Sequence, residues 1–155
     1  MGTIDNTPYL CVPDALKFRK EVCGGEEKIM RYCADVVKQG GMHVAKALET
    51  EVLDNKEGSL TRCCLANVRL PLKIGTTQGE VKEEHAASVT QWLTRTMVDK
   101  HHTFMAVIFY AGSWWVRLSG QIYLESKDFE WAAEVLKELC ERVQKGDYLQ
   151  EQPHL

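Results

Sequence analysis

Two short runs rich in β-branched and aromatic residues, FMAVIFY (104–110) and WWVRLS (114–119), are separated only by AGS. A three-residue connection containing glycine between two such runs predicts a β-hairpin. Outside it the apolar period changes from two residues to about 3.6. EEHAASVTQWLTRTMVDK (83–100) places Val89, Trp92, Leu93, Thr96 and Met97 at helical spacing. SKDFEWAAEVLKELCERVQK (126–145) does the same with Phe129, Ala132, Val135, Leu136, Leu139 and Val143. A hairpin bracketed by amphipathic helices has few ways to bury its apolar face. The expected class is α+β, a small antiparallel sheet with helices packed on one face.

The rest of the chain fits that frame. Residues 1–12 are polar, with Pro8 as a breaker, and read as an extended lead-in. PDALKFRKEV (13–22) reads as a short helix that CGG ends. Residues 26–53 form a long helical pattern through Ile29, Cys33, Val36, Val37, Val44 and Leu48. Gly40 and Gly41 inside it cost roughly 1 kcal/mol each against alanine and invite a kink. TRCCLANVRLPL (61–72) alternates, with Ala66, Val68, Leu70 and Leu72 on one face, as a strand does. The last helix is expected to start at Ser126 or Asp128 as N-cap and to close at Lys145-Gly146.

Charge and composition exclude some functions. A formal charge of −3 without a basic stripe argues against a nucleic-acid partner. No apolar run approaches the ~18 residues of a membrane span, and residues 1–10 lack a secretory pattern. The expectation is a cytoplasmic chain. Six cysteines without a C-x-x-C read as reduced, mostly buried thiols. Cys63-Cys64 and His101-His102 are adjacent pairs whose side chains diverge on a strand, so no metal site is expected.

The unusual feature is Arg117, a permanent cation inside SWWVRLSGQIY (113–123). Alternation puts Trp115, Arg117 and Ser119 on one strand face and Trp114, Val116 and Leu118 on the other. Taken alone, this suits an arginine on the solvent face. Tyr9, Trp114, Trp115 and Tyr123 are either core or pocket lining, and core is the commoner role of such aromatics. His43 and His85 read as surface residues.

The order Arg117, Ser119, Tyr123, followed by the capped helix, resembles the C-terminal signature of class V aminotransferase-like (fold type I) enzymes that use pyridoxal phosphate. GTIDNTPYLCVPDALKF (2–18) is similar to the segment by which those enzymes enter their small domain. The wording is nearest the fungal isopenicillin N epimerase-like and hercynylcysteine sulfoxide lyase-like branch. The resemblance implies that residues 1–155 are the C-terminal small domain of such an enzyme, with the large cofactor-binding domain missing and a homodimer as the full-length form. It implies that Arg117 binds the carboxylate of an amino acid or sulfur-containing amino-acid derivative. It implies that Thr3 reaches the cofactor phosphate of a neighbouring subunit. Aminotransferase, lyase and epimerase chemistry are all compatible. Leu124 stands where many members have asparagine. Lys73 and Lys100 match no cofactor motif, so this chain is not expected to hold pyridoxal 5′-phosphate covalently, and no catalytic residue is assigned. The alternative is a non-catalytic remnant that serves as a packing or dimerisation module.

Overall fold

The computed structural model describes residues 5–150. Eight principal elements follow one another: α1 (Thr7–Leu10), α2 (Val12–Glu21), α3 (Glu26–Ala47), β1 (Leu65–Arg69), α4 (Ala86–His101), β2 (Ala106–Tyr110), β3 (Ser113–Ser119) and α5 (Ser126–Lys145). The strands form one antiparallel sheet in the order β1-β3-β2. The hairpin strand that follows the turn is therefore central. The architecture is α+β, as the period change along the sequence predicts.

One sheet face meets the helices. Ala66 and Val68 of β1, Val107 of β2, and Trp114, Val116 and Leu118 of β3 are all buried there. Against them pack Val37 and Val44 of α3, Val89, Leu93 and Met97 of α4, and Phe129, Leu136 and Leu139 of α5. Trp114 is the largest side chain that is fully enclosed. Its indole Nε1 donates to Thr90 Oγ1 at 3.1 Å, so burial leaves no orphan donor.

The glycine pair in α3 does not break the helix. A Cβ on Gly40 would lie 2.3 Å from the Phe129 ring, and one on Gly41 would lie 2.9 Å from Ala66 Cβ. The two glycines let α5 and β1 approach α3 closely, and that contact offsets their poor helix propensity. The helix does end earlier than its apolar pattern suggests. Glu49 takes φ 55°, with Thr50 N–H bonded to Ala45 O and Glu49 N–H to Lys46 O. This is a Schellman ending with glutamate in the left-handed position. The freed segment then runs beside β1, where Leu53 N–H donates to Asn67 O and Arg69 N–H to Glu51 O.

Other boundaries also differ from the sequence reading. Residues 5–12 are not extended, because Pro8 sits in the first turn of α1, where proline is favourable, and Asp5 accepts from Thr7 N–H. Only Leu65–Arg69 of the expected 61–72 strand pairs in the sheet, since Asp54 ties Leu60 and Thr61 into a turn. The hairpin loop has two residues rather than three. Ala111 (φ 50°) and Gly112 (φ 73°) both take positive φ, as a type I′ turn needs, which leaves Ser113 free to pair with Tyr110. The N-cap of α5 is Glu125, not Ser126 or Asp128. Asp128 instead closes a capping box by accepting from Glu125 N–H at 2.7 Å. Gly146 ends α5 in the left-handed conformation, as expected.

Burial also sets one titration. Cys140 of α5 is enclosed in the core, and burial pushes its thiol from 9.0 up to about 12. A folded-state value raised in this way gives stability that is complete below about pH 9 and lost as pH rises towards 12. Stability should therefore fall by about 2 kcal/mol between pH 9 and 11 from this group, and melting temperature should fall with it. Cys140→Ala should flatten that fall. An unchanged alkaline slope in the variant would show that other groups, not Cys140, set the alkaline loss.

Candidate carboxylate-binding face

No helix among the described residues packs on the second face of the sheet. Alternation and register place Arg117, Trp115 and Ser119 of β3 on it, with Asn67 and Arg69 of β1 on one side and Ala106 and Ile108 of β2 on the other. Asn67 and Ala106 lie directly opposite Arg117 across the two ladders. Arg117 is exposed, whereas its strand neighbours Val116 and Leu118 are buried on the far side. The face assignment read from the sequence is the one observed.

Two cations on this face differ in their state. Arg69 has its Nε 3.3 Å from a Glu51 carboxylate oxygen. The contact is a charge pairing rather than a directed hydrogen bond, because that Nε is buried without hydrogen-bond geometry to any acceptor. Arg117 pairs with no carboxylate among the described residues and has no side-chain hydrogen bond there. Its guanidinium presents a planar fork of donors suited to a carboxylate. Trp115 lies beside it, only 9% exposed, its ring held by a hydrogen bond from Nε1 to Tyr110 O at 3.2 Å. A fixed apolar wall next to an uncommitted cation is a common design for an orienting subsite.

The remaining candidates separate. Trp114 is core. Tyr9 and Tyr123 are about three-quarters exposed and lie off the sheet, on α1 and in the turn before α5. His43 is exposed, and His85 is half-buried edge-on to Tyr148. Thr3 lies outside the described residues. Of the six thiols, only Cys33 and Cys140 are buried; Cys11 and Cys63 are exposed, contrary to the expectation of mostly buried cysteines. Asn67 and Arg69 are the neighbours that the sequence reading missed. They occupy the alternate positions of TRCCLANVRLPL, but only the register of β1 on β3 shows that they adjoin Arg117.

No lysine occupies a strand position on this face. Lys73 lines a shallow surface hollow with Thr77, Gln78 and Glu80, and Lys100 is exposed near the end of α4. The described residues on this face thus offer an exposed guanidinium beside an indole wall. No helix among the described residues is long and apolar enough to cross a membrane.

No protein-family model matches the chain. It is 37% identical over 165 residues to an L-cysteine desulfhydrase-like protein of Epichloe uncinata, an alignment covering 97% of the chain and 36% of the relative. A second L-cysteine desulfhydrase-like protein of that organism is 37% identical over 157 residues, covering 92% of the chain and 35% of the relative. Hercynylcysteine sulfoxide lyase of Schizosaccharomyces pombe is 31% identical over 137 residues, covering 88% of the chain and 30% of the relative. Among solved structures, Oryza sativa TDC with PLP and tryptamine superposes with a TM-score of 0.53 at 17% identity, covering 74% of the chain and 23% of that structure. The chain is thus a homologue of part of the L-cysteine desulfhydrase-like proteins and of hercynylcysteine sulfoxide lyase, spans about a third of their length, and shares its α+β fold with part of a fold type I pyridoxal-phosphate enzyme structure.

Proposed function

We propose that this chain acts as the C-terminal small domain of a class V aminotransferase-like, pyridoxal-phosphate-dependent enzyme, and that Arg117 grips the carboxylate of an amino acid or sulfur-containing amino-acid derivative. The observation that carries the reading is the uncommitted, exposed Arg117 on the second sheet face, walled by Trp115 and opposite Asn67. Pyridoxal phosphate supplies the electron sink in enzymes of this kind. This chain lacks a lysine on the same face, so the cofactor belongs to the rest of a longer protein. The part assigned to these residues is binding and orientation. Two parallel N–H···O contacts fix a carboxylate in a plane, and the indole wall limits how the side chain beyond it can turn.

A second surface supports the same reading. Leu10, Val12, Leu16, Phe18 and Val22 on and next to α1 and α2 are all at least half exposed, and α2 buries no residue against the domain. An apolar strip of this kind suits contact with further protein. It would serve the non-catalytic module equally well, and function separates the two. The chain should be placed in the L-cysteine desulfhydrase-like protein of Epichloe uncinata, replacing the segment it matches. The proposal expects turnover of an amino acid with added pyridoxal phosphate, lost on substitution of Arg117. A folded chimera whose turnover ignores Arg117 would leave the chain a packing module.

A further inference from the structure

Cys33 and Cys64 are distant in sequence and meet in the fold. Cys33 lies on the inner side of α3 and is 5% exposed. Cys64 is half-buried and immediately precedes β1. The Cys64 Sγ lies 3.9 Å from the carbonyl oxygen of Met30, one helical turn before Cys33, and the Cys64 thiol is near enough to help raise that of Cys33. Gly120 sits against the backbones of both residues. Its N–H donates to Cys64 O at 2.8 Å, and a Cβ on it would lie 2.0 Å from Cys33 O. Cys63 points elsewhere, with its sulfur 3.4 Å from Leu60 O and 3.5 Å from Leu65 O. Cys140 is sealed in the core.

We infer that Cys33 and Cys64 form a redox-modification site, closed to an intramolecular disulfide by a small-molecule disulfide such as oxidised glutathione. Cys64, the more accessible sulfur, attacks as the thiolate and forms a mixed disulfide, releasing one equivalent of the small thiol. Cys33 then attacks the Cys64 sulfur and gives up its proton to the departing second small thiolate. Two protein thiols are oxidised and one small disulfide is reduced to two thiols. Burial raises the Cys33 thiol above its ordinary value, so Cys33 is the poorer first nucleophile of the pair and reacts only once Cys64 carries the mixed disulfide beside it. The bond ties α3 to the entry of β1, beside the residue that ends the Arg117 strand. It clamps that end of the sheet without occupying the open face.

The test is treatment of the purified 155-residue chain with oxidised glutathione, followed by intact-mass and non-reduced peptide analysis. The expected product has lost two hydrogen atoms and links the Cys33 and Cys64 peptides. Cys63→Ser should give the same link, whereas Cys64→Ser should give none involving Cys33. Closing a loop of this length should raise the melting temperature by about 10 °C. Glutathione adducts without the internal link, a Cys33 link to Cys63 in the unmodified sequence, or a linked product that melts lower would overturn the inference.

Discussion

Trp114→Ala is expected to destabilise the domain by about 3–5 kcal/mol, the cost of removing a large aromatic from a core that cannot collapse around the space. Trp114 is 0% exposed near the start of β3, tilted against Phe109 with ring centroids 4.7 Å apart. The substitution also removes the indole N–H that Thr90 Oγ1 accepts, although that hydroxyl keeps its own bond to Ala86 O. Denaturant unfolding would measure the loss, and at this size a fall in melting temperature of about 10 °C or more should accompany it. Trp114→Phe should recover much of the stability by keeping the ring volume. Trp115→Ala, on the other face, should cost clearly less. Equal costs would show that Trp115 is held as tightly on the open face as Trp114 is against the helices.

Arg117 should behave in the opposite way. It has no ion-pair or hydrogen-bond partner among the described residues and it is exposed, so Arg117→Ala should leave the melting temperature nearly unchanged. On the proposed reading, its effect appears in catalysis by the longer enzyme. Arg117→Lys keeps the charge and loses the two-pronged fork, so kcat/KM for an amino acid should fall by roughly ten- to a hundredfold. Arg117→Ala should fall further, with cofactor retention intact because no cofactor contact is assigned to it. Arg69→Ala is the control on the same face. Its cation is already paired with Glu51 and should matter less to substrate.

Much of this arrangement is legible in the sequence because it depends on period. The split of Trp114, Val116 and Leu118 from Trp115, Arg117 and Ser119 follows from strand alternation alone, and the inward set of α5 follows from helical spacing. The features that escaped depend on contacts between distant segments. Gly40 and Gly41 look like a break until Phe129 and Ala66 are seen packed on them. The early end of α3 hides in Glu49, a residue type that seldom takes positive φ. Asn67 joins the Arg117 face through register, and Gly120, which sits against the backbones of Cys33 and Cys64, lies eighty-seven residues beyond the first of them. Local pattern fixes which side of an element a residue occupies; only tertiary pairing fixes what it faces.

The most direct measurement compares an amino acid with its carboxamide as substrates of the chimeric enzyme, with Arg117 and with Arg117→Ala. The carboxamide has the same shape but no negative charge for the guanidinium. With Arg117 present, kcat/KM should favour the acid by roughly ten- to a hundredfold, the scale of one charge-assisted contact. Arg117→Ala should bring the two substrates close to parity, mainly by slowing the acid. A preference for the acid that survives Arg117→Ala undiminished would place the carboxylate elsewhere and contradict the assignment of this face.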